Sequence, residues 1–251
     1  MVPAYRYAAS MTESPGNGPV TGAPAGESAA FEDDDYRRAV VDLLGAIAYG
    51  ELTAFDRLSA DARLAPSLED KIAISQMACV ELGHLVQLRD RITELGADPS
   101  AAMAPFRSAL DLFHEHTAPA DWWEGLIKAY VGDGMAADFY REIAAYLDTR
   151  TRDLIVASLE DAGHSDFVVD RVKAAIADDP RLGGRLALWG RRLMGEALTQ
   201  AQRVAAERDA LSALLAGGVD RPALDLAAIG RMFARITERH AERMAVLGLD
   251  A

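Results

Sequence analysis

Along this chain hydrophobic residues return at the three- and four-residue spacing of helices, and the alternating runs that mark strands are scarce. From about Asp34 to Leu58 one face reads Val40, Leu44, Ile47, Glu51, Phe55, Leu58, so an apolar stripe carries a carboxylate at its middle. Ser67 with Asp70 three residues on is a capping pair opening a second helix, whose stripe runs Ile74, Met77, Glu81, His84, Leu85 and Leu88. A long connection holding Pro105 and Pro119 follows. A third helix is expected from Ala120 or Asp121, presenting Leu126, Tyr130, Asp133, Ala137 and Tyr140, with Asp133 between Gly132 and Gly134. A fourth segment presents Leu154, Ala157, Asp161, His164 and Val168 on one face. The stretch from Leu126 to Ala162 reads either as one bent helix or as two antiparallel ones, because Asp148 to Arg152 is polar enough for a turn. A long helix from Pro180 to about Leu214 and a charged terminal helix complete the pattern. The fold class is all-α: a four-helix bundle with additional C-terminal helices.

Half of the 251 residues are hydrophobic, enough for one domain over 34–251 with a substantial core. Residues 1–33 are rich in Pro, Gly and Ser, end in an acidic run, and contain no apolar stretch of the kind a secretory signal needs, so they read as a disordered lead-in. No run reaches the roughly 18 apolar residues of a membrane span. The lone Cys79 excludes an internal disulfide and a cysteine-cluster metal site, and fits a reducing cytoplasm. The net charge of −13 argues against indiscriminate nucleic-acid binding, yet it is uneven: residues 1–164 hold 13 basic and 27 acidic side chains, residues 165–251 hold 13 and 12. The C-terminal third is where a polyanion is tolerated. There Arg231, Arg235, Arg239 and Arg243 recur every four residues, with Arg191 and Arg192 before them; Glu238 and Glu242 are placed to pair with them in an ordinary solvated helix or an oligomer seam.

The polar interruptions of the stripes form an ordered set: Glu51, then Glu81 with His84, then Asp133, then Asp161 with His164. One carboxylate followed by a carboxylate–x–x–histidine pair occurs twice, and Glu51 precedes Glu81 by 30 residues where Asp133 precedes Asp161 by 28. An acid and an imidazole three residues apart project from one helix face and reach one point. Taken singly, a carboxylate on an apolar face is usually a boundary residue and a histidine a hydrogen-bonded core residue. Brought together on a bundle axis, four carboxylates neutralise two divalent cations, which makes their burial far less costly. Glu160 competes with Asp161, but its spacing of four from His164 takes it off the Leu154–Ala157–His164 face. His114-Glu115-His116 reads as part of an exposed loop, His240 as paired with Glu238 and Glu242, and Glu196 lacks a histidine three residues on.

The arrangement resembles the ferritin-like di-iron and di-manganese carboxylate proteins over roughly Asp34 to Val168, which makes 34–168 the metal-binding core and 169–251 extra helices. That resemblance implies Glu51 and Asp133 as terminal ligands, Glu81 and Asp161 as bridges, and His84 and His164 as one nitrogen per metal. Aspartates stand at 133 and 161 where the family usually has glutamates. The oxygen and nitrogen donors suit two iron ions, or manganese, rather than a thiolate or tetrahedral zinc site. Tyr-Gly-Glu-Leu around Glu51, Glu-Leu-Gly-His around His84, Val-Gly-Asp-Gly around Asp133 and Asp-Ala-Gly-His around His164 look most like the MiaE-like tRNA hydroxylase group. The Asp-Gly element also resembles the third-helix motif of phenylacetyl-CoA oxygenase subunits.

These resemblances imply a non-haem di-iron monooxygenase using O2 and an electron-donating reductase, acting on a small hydrophobic substrate or a hydrophobic modification of tRNA, with Phe55, Met77, Tyr130 and Tyr140 lining its pocket. Two other readings compete: a ferroxidase that handles iron without an organic substrate, and a non-enzymatic interaction protein whose bundle is held by metal, in either case as a monomer or a homo-oligomer.

Overall fold

The computed structural model describes residues 33–144, 146–158, 164–215 and 226–250; the N-terminal lead-in expected over 1–33 falls, but for Asp33, outside the described residues. Helix α1 spans Asp34–Asp61 and begins where Asp33 accepts hydrogen bonds from the Asp35 and Tyr36 amides. Helix α2, Leu68–Glu94, starts at the expected cap, with Ser67 Oγ 3.1 Å from the Asp70 amide nitrogen. These two helices pack antiparallel along their length, Val40, Leu44 and Ile47 meeting Leu88 and Ile92 at one end and Leu58 meeting Ile74 and Met77 at the other.

The connection expected to be a loop is helical. It holds α3 (Pro99–Met103), a 3₁₀ turn (Ala104–Phe106) and α4 (Arg107–His116), and prolines enter it at helix starts, where a missing N–H is harmless. Glycine lets α3 approach α1 closely, for a Cβ on Gly45 would overlap the Ala102 carbonyl. Helix α5, Trp122–Ala144, opens with Asp121 accepting from the Glu124 amide at 3.0 Å while Glu124 reaches back to the Ala120 amide at 2.8 Å.

Of the two readings left open for 126–162, two helices is correct: α5 ends at Ala144 and α6 spans Thr149–Ser158. A buried polar knot holds the corner. Asp148 accepts from the Thr151 amide at 2.9 Å and from Arg91, whose guanidinium also donates to Thr151 Oγ1. Of the fourth segment the structure describes α6 up to Ser158 and α7, His164–Asp178; residues 159–163 between them lie outside the described residues.

The long C-terminal helix likewise divides at Arg208 into α8 (Pro180–Glu207) and α9 (Asp209–Leu215). Arg208 leaves the helix to grip Asp42 of α1 with both carboxylate oxygens, at 2.6 and 2.7 Å. Helix α8 packs on α4 and α5, and α10 (Leu226–Val246) lies on α5 and α8. Among the described residues no helix is long and apolar enough to cross a membrane.

Candidate metal centre

Glu51 sits at the middle of α1, and Glu81 and His84 lie about one turn apart on the facing side of α2. The antiparallel packing brings all three to one height. One ligand atom from each lies within 4.8 Å of the others, and His84 Nδ1 is 3.6 Å from Glu51 Oε2 and 4.0 Å from Glu81 Oε2. The group forms a polar layer between two apolar clusters. Ile47, Leu88, Ile143 and Leu147 close one side, and Leu58, Met77, Leu126 and Val131 close the other.

Burial pushes the Glu51 carboxyl up to about 7, with the charge of Asp133 on α5 adding to the rise and a hydrogen bond with Glu81 opposing it. Burial pushes Glu81 higher, to about 9, helped by the hydrogen bond to Glu51 and by its charge, and opposed by His84. At neutral pH the two carboxyls therefore share a proton that a cation would replace. This donor set of buried oxygens with one imidazole is compatible with a hard or intermediate divalent ion. Tyr140 closes the site from α5. Its burial among Glu51, Asp133 and Glu81 holds the phenol protonated well above the ordinary tyrosine range. Gly50 lies against it, and a Cβ there would just touch the Tyr140 hydroxyl at 3.4 Å.

The structure thus joins three of the six expected ligands. Asp133 lies close enough to act on Glu51 electrostatically and lines the same cavity, but stands outside the close three-residue group. Asp161 and its competitor Glu160 lie outside the described residues, and of His164 only the backbone, at the start of α7, is described.

A cavity of about 340 Å³, mostly apolar, opens against Glu51, Glu81 and Asp133. Met77 and Tyr140 line it as expected; Phe55 and Tyr130 do not, and pack instead against the apolar core. On α1 the cavity follows Ala46, Gly50, Ala54 and Arg57, a face turned away from Phe55, and on α5 Tyr130 lies two residues from Lys128, nearly opposite it around the helix.

Several other polar residues take places that periodicity did not indicate. His114 belongs to α4 and lines the cavity, while exposed His116 pairs with Glu196 at 2.8 Å. His240 is buried with neither ring nitrogen partnered, rather than bridged to Glu238 or Glu242. Asp61 and Lys128, which the stripes do not single out, are both buried on the cavity wall. Three of the four spaced arginines pair with α5: Arg235 and Arg239, both partly exposed, with Glu142, and the more covered Arg243 with Asp138 at 2.6 Å, while it also donates to the Gly134 carbonyl at 3.0 Å. Gly134 next to Asp133 is small because Arg243 occupies the space a Cβ would need.

A family model described as "Ferritin-like domain, actinomycetes" matches residues 34–218, which contain α1 to α9 and the carboxylate–histidine group. No curated protein matches the chain significantly. Since the match covers well over half of the chain, and the described residues are a helical bundle, the chain belongs to this ferritin-like domain family.

Proposed function

We propose that the chain is a di-iron oxygenase that hydroxylates an apolar substrate held in the cavity beside Glu51 and Glu81. One observation carries this reading: the carboxylate group forms part of the wall of a largely apolar cavity of about 340 Å³. A site that only oxidises and passes on iron has no use for such a space.

Glu51, Glu81 and His84 would hold iron together with Asp133 and, by the family resemblance, Asp161 and His164. When bound, two ferrous ions supply the electrons that activate O2 for insertion into a C–H bond. The chain's own part is to exclude water and to orient. Met77, Phe139 and Tyr140 present apolar surface beside the carboxylates, and the Tyr140 hydroxyl, kept protonated, is a neutral donor at the edge of the group. Placing one oxygen atom in the substrate and reducing the other to water requires two electrons and two protons from an external reductase in each turnover.

Arg235, Arg239 and Arg243, which suggested a tRNA-borne substrate, are turned onto Glu142 and Asp138. The proposal therefore concerns the apolar group that enters the cavity, whatever carries it.

The test is O2 consumption by iron-loaded protein with a reductant and a panel of apolar compounds, using ¹⁸O2 and product analysis. The expected result is label in an organic product and O2 uptake that depends on that compound. Repeated turnover on Fe²⁺ alone, with no labelled product from any compound, would establish the ferroxidase reading instead.

A further inference from the structure

The cavity has a second polar wall, well away from the carboxylate–histidine group. Along α1 it continues from Glu51 past Arg57 to Asp61, about 9 and 15 Å of helix rise beyond the carboxylate. Because α5 runs antiparallel to α1, Lys128 lies at this same end, five residues and roughly 8 Å from Asp133. His114 of α4 completes it.

The side chains here are incompletely partnered. Lys128 is only 6% exposed, and the one hydrogen bond of its ammonium goes to the Thr117 carbonyl at 2.8 Å, leaving two of three donors to find acceptors. Its stem and charge rest over the Phe113 ring, 5.4 Å from the centroid. Asp61 is buried nearby and acts on Lys128 through its charge, but no close ion pair joins the two, and its carboxyl packs against Gly125. His114 Nδ1 is buried with no partner. Burial lowers the His114 pKa to about 3 and that of Lys128 to about 8, so the imidazole is neutral and the amine still chiefly a cation at pH 7. The Arg57 guanidinium, partly exposed and paired with Asp56 at 2.8 Å, adds a second positive group at the rim. Between this pole and the metal group the walls are apolar, with Ala54, Leu58 and Ala129 among them.

We propose that the cavity binds a linear aliphatic carboxylic acid, its carboxylate held by Lys128 with His114 and Arg57, and its chain laid along α1 so that a methylene lies beside Glu51 and Glu81. The reasoning is one of complementary chemistry. A buried ammonium with free donors needs an anionic acceptor, a neutral imidazole with an open nitrogen offers a second hydrogen bond, and the space beyond them accepts only hydrocarbon. A head anchored at one end fixes which carbon stands at the other, so the anchor determines the position of reaction. This inference rests on the oxygenase reading for its consequence, but its binding step needs no metal.

The experiment is therefore done on full-length protein, both metal-loaded and after chelation, by calorimetry with dodecanoate, dodecanol and dodecanoyl-coenzyme A as probes. Dodecanoate should bind both forms, at least tenfold more tightly than dodecanol. Lys128→Gln should remove that preference while leaving dodecanol affinity and metal content unchanged. Ala54→Phe, which fills the apolar passage, should weaken both lipids. His84→Ala should lose metal and retain dodecanoate, so failure of the metal site and failure of the anchor are read separately. The proposal is overturned if dodecanol binds native protein as well as dodecanoate does, if dodecanoate binds only when metal is present, or if the coenzyme A thioester binds more tightly than the free acid. The comparison of probes on unaltered protein decides the matter even where Lys128→Gln fails to fold.

Discussion

Glu81 is held in the protein as an acid, and replacing it with glutamine tests the electrostatic argument for the metal centre most directly. In the unfolded chain its carboxyl ionises near 4.5, whereas burial and Glu51 raise it to about 9 in the fold. The folded state thus retains a proton that the unfolded state has lost, so this carboxyl's contribution to metal-free stability is greatest at acid pH and declines as pH rises from 4.5 toward 9. Taken whole, such a shift corresponds to roughly 6 kcal/mol at about 1.4 kcal/mol per unit. Because Glu81 shares its proton with Glu51 and its side chain keeps some solvent contact, we expect about 2–3 kcal/mol to be recovered. Glu81→Gln imitates the protonated form and carries no such penalty. In chelator it should match the native protein near pH 5 and exceed it by about 2–3 kcal/mol at pH 8, which for a chain of this size is on the order of 5–10 °C in Tm. With iron or manganese added the order should reverse, since metal bound only to the native state stabilises it by mass action and the glutamine cannot replace the carboxylate. Urea titrations at the two pH values, with and without metal, make the measurement. A variant no more stable than native protein at pH 8 in chelator, or a difference that does not change with pH, would refute the reasoning.

Three further outcomes follow from the geometry. His84→Ala should lower bound metal by at least one ion per chain by elemental analysis, whereas His116→Ala, on an exposed side chain paired with Glu196, should leave it unchanged. Gly45→Ala should destabilise by about 1–3 kcal/mol through overlap with the Ala102 carbonyl, while Gly83→Ala, with open space around it in mid-helix, should stabilise by roughly 0.5–1 kcal/mol; chemical denaturation compares the two. Arg243→Ala should destabilise by about 3 kcal/mol because it leaves Asp138, whose side chain is 4% exposed, with only the longer contacts to Arg141 and Arg239; a loss no larger than that of Arg203→Ala, a surface ion pair, would show that α10 is not clamped onto α5 this way.

Much of this protein is local and therefore visible in one dimension. The starts of α1, α2 and α5 come from short-range capping chemistry at Asp33, Ser67 and Asp121, and Glu51, Glu81 and His84 stand out because each interrupts an apolar stripe whose period is that of a single helix. The breaks at Ala144–Thr149 and Arg208 are harder to read, since a stripe keeps its phase across an interruption; what bends the chain at Arg208 is its bond to Asp42, 166 residues away.

By itself the sequence determined that the chain is helical, that carboxylates and histidines interrupt the apolar stripes of its core helices, and that no cysteine cluster is on offer for a metal. Only the tertiary structure decided which polar residues face one another. It turned Arg235, Arg239 and Arg243 onto α5, buried His240 without a partner, and set Lys128, Asp61 and His114 from three helices around the end of one cavity. The physical reason is that helical periodicity gives the direction of a side chain about its own axis, whereas a cavity and its charge depend on how separate axes are rotated and shifted against each other.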